Sequence, residues 1–323
     1  MTTKAQTLTD FSELNETLQN VTGIRTEQSG PYQDPDFSLT HLNYFKDADA
    51  APPDQLNSTL SEHELRIARR NDDSPNVART PVQIRNIQGS TSEHNIAEHG
   101  FKIGHLSSQM KNWQDDEELK RVFFSEVDDL LKRETGAKWT FQYEHHVRTA
   151  TLEDALAKDS TGAVDINGPV RRVHIDEAPK SGLNEYKHHI KPDDPGNEHL
   201  RGRHVAIFNI WKPIKTVQRD PLCLCDARSI QDEDLQSGKV QVPIVGEIEN
   251  FAIRPPRDPG THKFVYVREQ RPDQALIFRI MDTRIDESAA KRSCGVAHTS
   301  FVDPRTEHAP PRESVEVRSF CVF

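Results

Sequence analysis

No stretch of this chain approaches the roughly 20 consecutive apolar residues that a membrane-spanning helix needs. The opening Met1-Thr2-Thr3-Lys4-Ala5-Gln6-Thr7 lacks the apolar centre of a secretory signal. The sequence therefore points to a cytoplasmic protein with no membrane partner. Cysteine is scarce. Cys223, Cys225, Cys294 and Cys321 are too few and too unevenly spaced for a disulfide framework. One residue separates Cys223 from Cys225, not the two of a redox or zinc pair, so both read as buried thiols. Basic charge is also short: 41 Lys and Arg against 51 Asp and Glu leave a net charge of -10. Phosphate backbones select clustered Lys and Arg, which excludes nucleic acid as the main partner. Apolar residues make up only 34% of the 323, so much of the chain must be loop or surface. There is no internal repeat and no sustained heptad.

What is present is organised in two parts. Residues 1–79 read as a polar N-terminal extension, broken by turns at Gly30-Pro31 and Pro52-Pro53, with a helix start at Ser61 and Glu64 three residues on. Residues 80–323 read as the main domain. The periodicity predicts strands over Thr80–Ile87 and Gly100–Ile103, then a helix over Asp115–Glu134. In that helix Leu119, Val122, Phe123, Val127, Leu130 and Leu131 recur at three- and four-residue steps, and Gly136 closes it. From Lys138 alternation takes over. Strands are expected at Trp139–Tyr143, Val170–Ile175, His204–Trp211, Val240–Ile253, Lys263–Arg268, Ala275–Met281, Val296–Phe301 and Ser314–Phe323. Many short strands at this spacing predict a mainly β fold: a jelly roll, or double-stranded β-helix of cupin type, with its core from about residue 138 to 323 and a helical N-terminal region. Residues 177–203 read as a long polar loop, a composition suited to a lid.

The chemistry concentrates in the second half. His174 and Asp176 lie two apart in a strand, so both point to one face and can chelate one ion together. Adding a remote histidine completes a two-histidine, one-carboxylate site with open positions, which suits Fe(II), dioxygen and a bidentate co-substrate. His298, set between apolar residues in the penultimate strand, is the favoured third ligand. His188, His189 and His204 sit in or beside the polar loop, and His262 reads as turn surface after Pro259-Gly260. Taken singly, a His-x-Asp pair arises by chance and His298 reads as a hydrogen-bonded core histidine. Their order raises the metal reading: a pair on an early strand, a histidine on the penultimate one, an arginine opening the last. In a double-stranded β-helix those strands are neighbours.

Arg312 is that arginine. Its planar fork can donate two parallel bonds to a carboxylate, and Ser314 shares its face. The pair fits the distal carboxylate of 2-oxoglutarate, whose other end would chelate iron. Arg318 lies on the same face as a rival anchor, or pairs with Glu316 on the exterior. Asn209 and Trp211 share a face of another strand and line the same pocket, or serve as core.

Longer motifs resemble a family. Phe208 to Leu222, with Cys225-Asp226, is similar to the Trp-Arg-Pro-Leu-Lys-Thr-Val…Asp-Pro segment of the gibberellin GA4 desaturase family, which also takes in cephamycin methoxylase-like proteins and fungal hydroxylase/desaturases. Gly295–Phe301, Arg312–Glu316, Tyr266-Val267 with Pro272–Leu276 and Met281–Thr283, Thr80–Ile87 and Gly100-Phe101 resemble its other stretches, so the likeness spans about residues 80–323. It implies a non-haem Fe(II), 2-oxoglutarate-dependent dioxygenase, with His174, Asp176 and His298 as ligands and Arg312 as anchor. Its substrate would be a small-molecule secondary metabolite, hydroxylated or desaturated by O2 through a ferryl. Lys212 departs from the family's usual arginine. A non-catalytic cupin-like binding protein and a zinc-dependent hydrolase are the competing readings, and a homodimer is left open.

Overall fold

A computed structural model describes residues 36–46, 77–151, 168–242, 246–284 and 295–323. The helix start expected at Ser61, the two early turns and Cys294 lie outside the described residues. Two sheets make up the jelly roll. The larger runs β1 (Phe37–Phe45), β2 (Val77–Asn86), β10 (Phe264–Tyr266), β7 (Leu222–Cys225), β12 (His298–Ser300), β5 (His174–Ile175), β9 (Gly246–Ile253) and β8 (Leu235–Val242). The smaller runs β3 (Phe101–His105), β11 (Gln274–Asp282), β6 (Val205–Pro213), β13 (Ser314–Val322) and β4 (Trp139–Arg148). Only β2 and β10 pair in parallel among the described strands.

The sheets close on one apolar layer. Ile207, Trp211, Leu276, Phe278 and Phe320 from the smaller sheet meet Leu222, Leu224 and Val265 from the larger. Strand β6 is buried along its whole length, as a strand covered on both faces must be. Its other side, with Ala206, Phe208 and Ile210, packs under the predicted helix. That helix is α1 (Phe124–Thr135), entered through a turn capped by Asp115 and a π-turn at Leu119–Phe123. Gly136 ends it at φ 78°, in the left-handed region that glycine tolerates.

The structure corrects several expectations. The larger sheet begins before residue 80: β1, within the segment read as an extension, pairs with β2 and buries Leu42 and Tyr44. The run Val240–Ile253 is not one strand but the end of β8 and all of β9, paired as antiparallel neighbours. Residues 177–203 are not an irregular loop. They form α2 (Pro179–Ile190), with Pro179 in its first turn, followed by short turns. Gly182, Tyr186 and Ile190 pack inward at four-residue spacing, and Tyr186 Oη donates to Leu200 O at 3.2 Å. A Cβ on Gly182 would meet Ile207 and Met281 at 3.0 Å, so glycine permits the close approach. A helix seated in this way is a wall, not a hinged lid. Cys223 and Cys225 are buried free thiols on the outer side of the larger sheet, as expected. Burial pushes the Cys225 thiol up to about 12.

His262 is not turn surface. It is buried, with Nδ1 3.1 Å from Tyr44 Oη and Nε2 3.0 Å from Asp234 Oδ2. This contact ties β1 to the turn before β8. Burial lowers its pKa from the ordinary 6.5, against the opposing pull of Asp234. The unfolded chain therefore binds this proton more readily. Its contribution to stability is whole above about pH 6.5 and is lost as pH falls below that value. Thermal melts of His262→Gln should show a shallower decline on acidification than wild type. At neutral pH the variant should lose about 1–3 kcal/mol, because buried partners are left unsatisfied. An unchanged acid limb would remove His262 from this role.

Candidate metal centre and co-substrate pocket

Register brings the metal candidates together. His298 on β12 pairs directly with His174 on β5, and the ring centroids are 4.4 Å apart. Asp176 follows β5 with its carboxylate between the rings: Oδ1 lies 3.3 Å from His174 Nε2 and Oδ2 3.5 Å from His298 Nε2. One ligand atom from each of the three lies within 4.8 Å of the others, and this is the metal-capable cluster among the described residues. His188 and His189 sit on α2, while His204 contacts Asp282. His262 is engaged as above.

The imidazoles are also oriented as a metal would require. His174 Nδ1 lies 2.7 Å from Arg172 O, and His298 Nδ1 3.1 Å from Val296 O. A carbonyl has no proton to give, so each Nδ1–H donates and each ring turns its Nε2 toward the Asp176 carboxylate. Burial, then the neighbouring His174, lowers the His298 pKa to about 4. Burial works to protonate Asp176, but Arg318, His298 and His174 overcome it and hold the carboxyl well below its ordinary range. Two imidazole Nε2 atoms and a carboxylate thus converge in a buried pocket. The donor set fits a divalent transition metal.

On the other side of the triad, Arg312 is buried where the last strand enters the barrel. Its Nη1 donates to Asp220 O at 2.7 Å and to Ser300 Oγ at 3.3 Å. Its guanidinium lies 5.2 Å from the centre of the Trp211 ring. Ser300 is two residues beyond His298 on β12, which places Arg312 one step deeper than the metal candidates. Ser314 is fully buried and its Oγ has no protein partner. Burial lowers Arg312 to about 10, still a cation at neutral pH, and Arg148 and Arg171 stand near enough to act on it. Arg312, Arg148 and Arg171 gather around two buried acids, Asp220 and Glu316, and Arg171 meets Asp220 at 2.9 Å. That excess of one cation suits a dicarboxylate ligand.

Two expected residues reach Asp176. Asn209 Nδ2 donates to Asp176 Oδ2 at 3.1 Å and to Glu316 Oε1 at 3.0 Å. Arg318 does not pair with Glu316 on the exterior. It points inward and gives Nη2 to Asp176 Oδ1 at 2.8 Å and Nη1 to Glu144 Oε2 at 2.7 Å. Parity had placed it on the inner face. The partner on the opposite sheet has no local signal. Ser300 and Asp220 were missed for the same reason.

Comparison with known proteins agrees with this geometry. The alpha-ketoglutarate-dependent dioxygenase phiK of a fungal species is 34% identical over 285 residues, covering 87% of this chain and 94% of its own length. The gibberellin cluster GA4 desaturase of Gibberella fujikuroi is 28% identical over 297 residues, covering 75% of this chain and 86% of its own. The solved iron and alpha-ketoglutarate-dependent endoperoxidase NvfI shares the fold, with a TM-score of 0.65 over 90% of this chain and 99% of its own at 21% identity. Fold and relatives together define an iron- and 2-oxoglutarate-dependent oxygenase. Residues 42–322 match the family described as YDMC: Oxidoreductase/YMDC permease-like domain, and the chain belongs to it.

Lys212, the departure from the GA4 desaturase pattern, faces away from the pocket. It neighbours Trp211 on β6 and so points to the opposite side. There its Nζ lies 5.4 Å from the Trp113 ring centre and donates to Pro213 O at 3.3 Å. Burial lowers its pKa to about 8. Lys212→Met should leave 2-oxoglutarate affinity at the wild-type value in calorimetric titration. Its melting temperature should hold or rise, because a desolvated charge is removed. A drop in affinity would place the ammonium in the pocket after all.

Proposed function

We propose that His174, Asp176 and His298 hold the iron and that Arg312, with Ser314 and Trp211, seats the distal carboxylate of 2-oxoglutarate. The observation behind this reading is that one ligand atom from each of His174, Asp176 and His298 lies within 4.8 Å of the others. Iron held there would supply, with 2-oxoglutarate and dioxygen, the oxidising power needed to functionalise an unactivated C–H bond. The chain's own part is orientation and exclusion of water. The carbonyls of Arg172 and Val296 fix the two rings. Asp220 O and Ser300 Oγ hold one edge of Arg312, and among the described residues no hydrogen bond engages its Nε or Nη2. Those nitrogens remain for a ligand carboxylate. The Trp211 face beneath keeps the guanidinium level and dry. Leu276, Phe278 and Leu224 wall the barrel interior.

The prime substrate is a small secondary metabolite, and the outcome is hydroxylation or desaturation. Relatives named hydroxylase/desaturase and GA4 desaturase support this. They give no support to a non-catalytic binding protein or a zinc hydrolase. His174→Ala, Asp176→Ala and His298→Ala each remove one of three donors. Each should abolish 2-oxoglutarate-dependent succinate formation and weaken Fe(II) or Co(II) binding in anaerobic titration. Full activity in the His298 variant would reassign the third ligand. Arg312→Ala should cost about 2 to 5 kcal/mol of 2-oxoglutarate binding, the usual loss when one member of a buried charge pair is truncated. Metal affinity should stay near wild type. A parallel loss of metal would mean that Arg312 supports the ion and not the co-substrate.

A further inference from the structure

The Asp176 carboxylate is gripped from behind. Its triad partners His174 and His298 belong to the larger sheet, but Arg318 on β13 and Asn209 on β6 belong to the smaller. Each carboxylate oxygen meets one imidazole and one donor from across the barrel: Oδ1 meets His174 and Arg318, Oδ2 meets His298 and Asn209. Both donors are themselves anchored. Arg318 Nη1 donates to Glu144 on β4, and its Nε lies 3.9 Å from Glu316. The Asn209 amide nitrogen also bonds Glu316, and two carboxylate acceptors fix its orientation with the nitrogen toward Asp176. Arg318 therefore offers no free fork for a co-substrate carboxylate, since each terminal nitrogen already serves an acid.

We propose that Arg318 and Asn209 are positioning residues that fix the orientation of the Asp176 carboxylate for the metal and the chelating end of the co-substrate. The proposal rests on the reading of His174, Asp176 and His298 as ligands. A carboxylate held at both oxygens by separate donors cannot turn. A carboxylate free to turn can present both oxygens to an ion. It then takes a position that a 2-oxo acid, which needs two, would occupy. The consequence falls on any 2-oxo acid, whether or not it has a second carboxylate.

This separates Arg318 from Arg312. Binding of 2-oxoglutarate and of pyruvate, which has the same 2-oxo carboxylate and no distal one, is followed on the anaerobic Fe(II)-loaded full chain by visible absorption. Arg318→Met should weaken both probes about tenfold, the size of one lost hydrogen bond to a charged group. Arg318→Lys, which keeps a charge and a donor, should recover much of both. Arg312→Met should weaken 2-oxoglutarate and leave pyruvate unchanged. Circular dichroism and melting confirm folding. If Arg318→Met does not fold, Asn209→Ser, which leaves the arginine pair in place, is held to the same pattern. Arg318→Met weakening 2-oxoglutarate alone would make Arg318 a second anchor and overturn the proposal, as would unchanged binding of both probes. If the wild-type protein shows no metal-dependent binding of either probe, the ligand assignment falls first and this inference with it.

Discussion

Two imidazoles and a carboxylate converge in a buried space, and the architecture around them holds them there. The strands β5 and β12 set His174 opposite His298 in register. Backbone carbonyls fix which nitrogen of each ring faces the carboxylate. The facing sheet supplies Arg318 and Asn209 to the carboxylate. Each restraint comes from a different part of the chain, and together they order the three side chains around one point.

The rest of the barrel serves the same purpose at longer range. An apolar layer between the sheets lowers the local dielectric and strengthens every charged contact within it. Charged groups admitted to that layer are engaged: Arg318 by two acids, Glu316 by Asn209, Arg312 by a carbonyl and a hydroxyl. Ser314 Oγ and Asn209 Oδ1 are buried without protein partners. Orphaned polar atoms of this kind mark where solvent or ligand is expected. Helix α2 seals one flank, and α1 covers the outer face of β6.

How far the sequence could be read follows from the range of each signal. The helix at Leu119–Leu131 was legible because six apolar residues repeat at its period, and β6, β11 and β13 because long apolar or alternating runs cross the core. Strand β7 is four residues long and too short to alternate visibly. In β1 the apolar phase shifts between Leu39 and Leu42. Helix α2 was hidden because its inward stripe includes Ser181, Gly182 and Glu185. Pro179 at its start and the four-residue steps from Ala178 to Ile190 were the available clue. His262 looked like surface because its neighbours are turn residues, and only folding delivers Tyr44 to it.

By itself the sequence determined the ligand types and their local geometry. A strand makes His174 and Asp176 share a face, and the same parity turns Arg312, Ser314, Glu316 and Arg318 to one side. Resemblance along residues 80–323 determined the class of chemistry. Tertiary structure decided that His298 stands against His174 and that Arg318 meets the Asp176 carboxylate. It also decided that Lys212 faces outward while Trp211 faces in. These are contacts between residues 33 to 142 positions apart. Strand periodicity fixes a side chain's face, but only the pairing of strands and the closure of two sheets fix what that face meets.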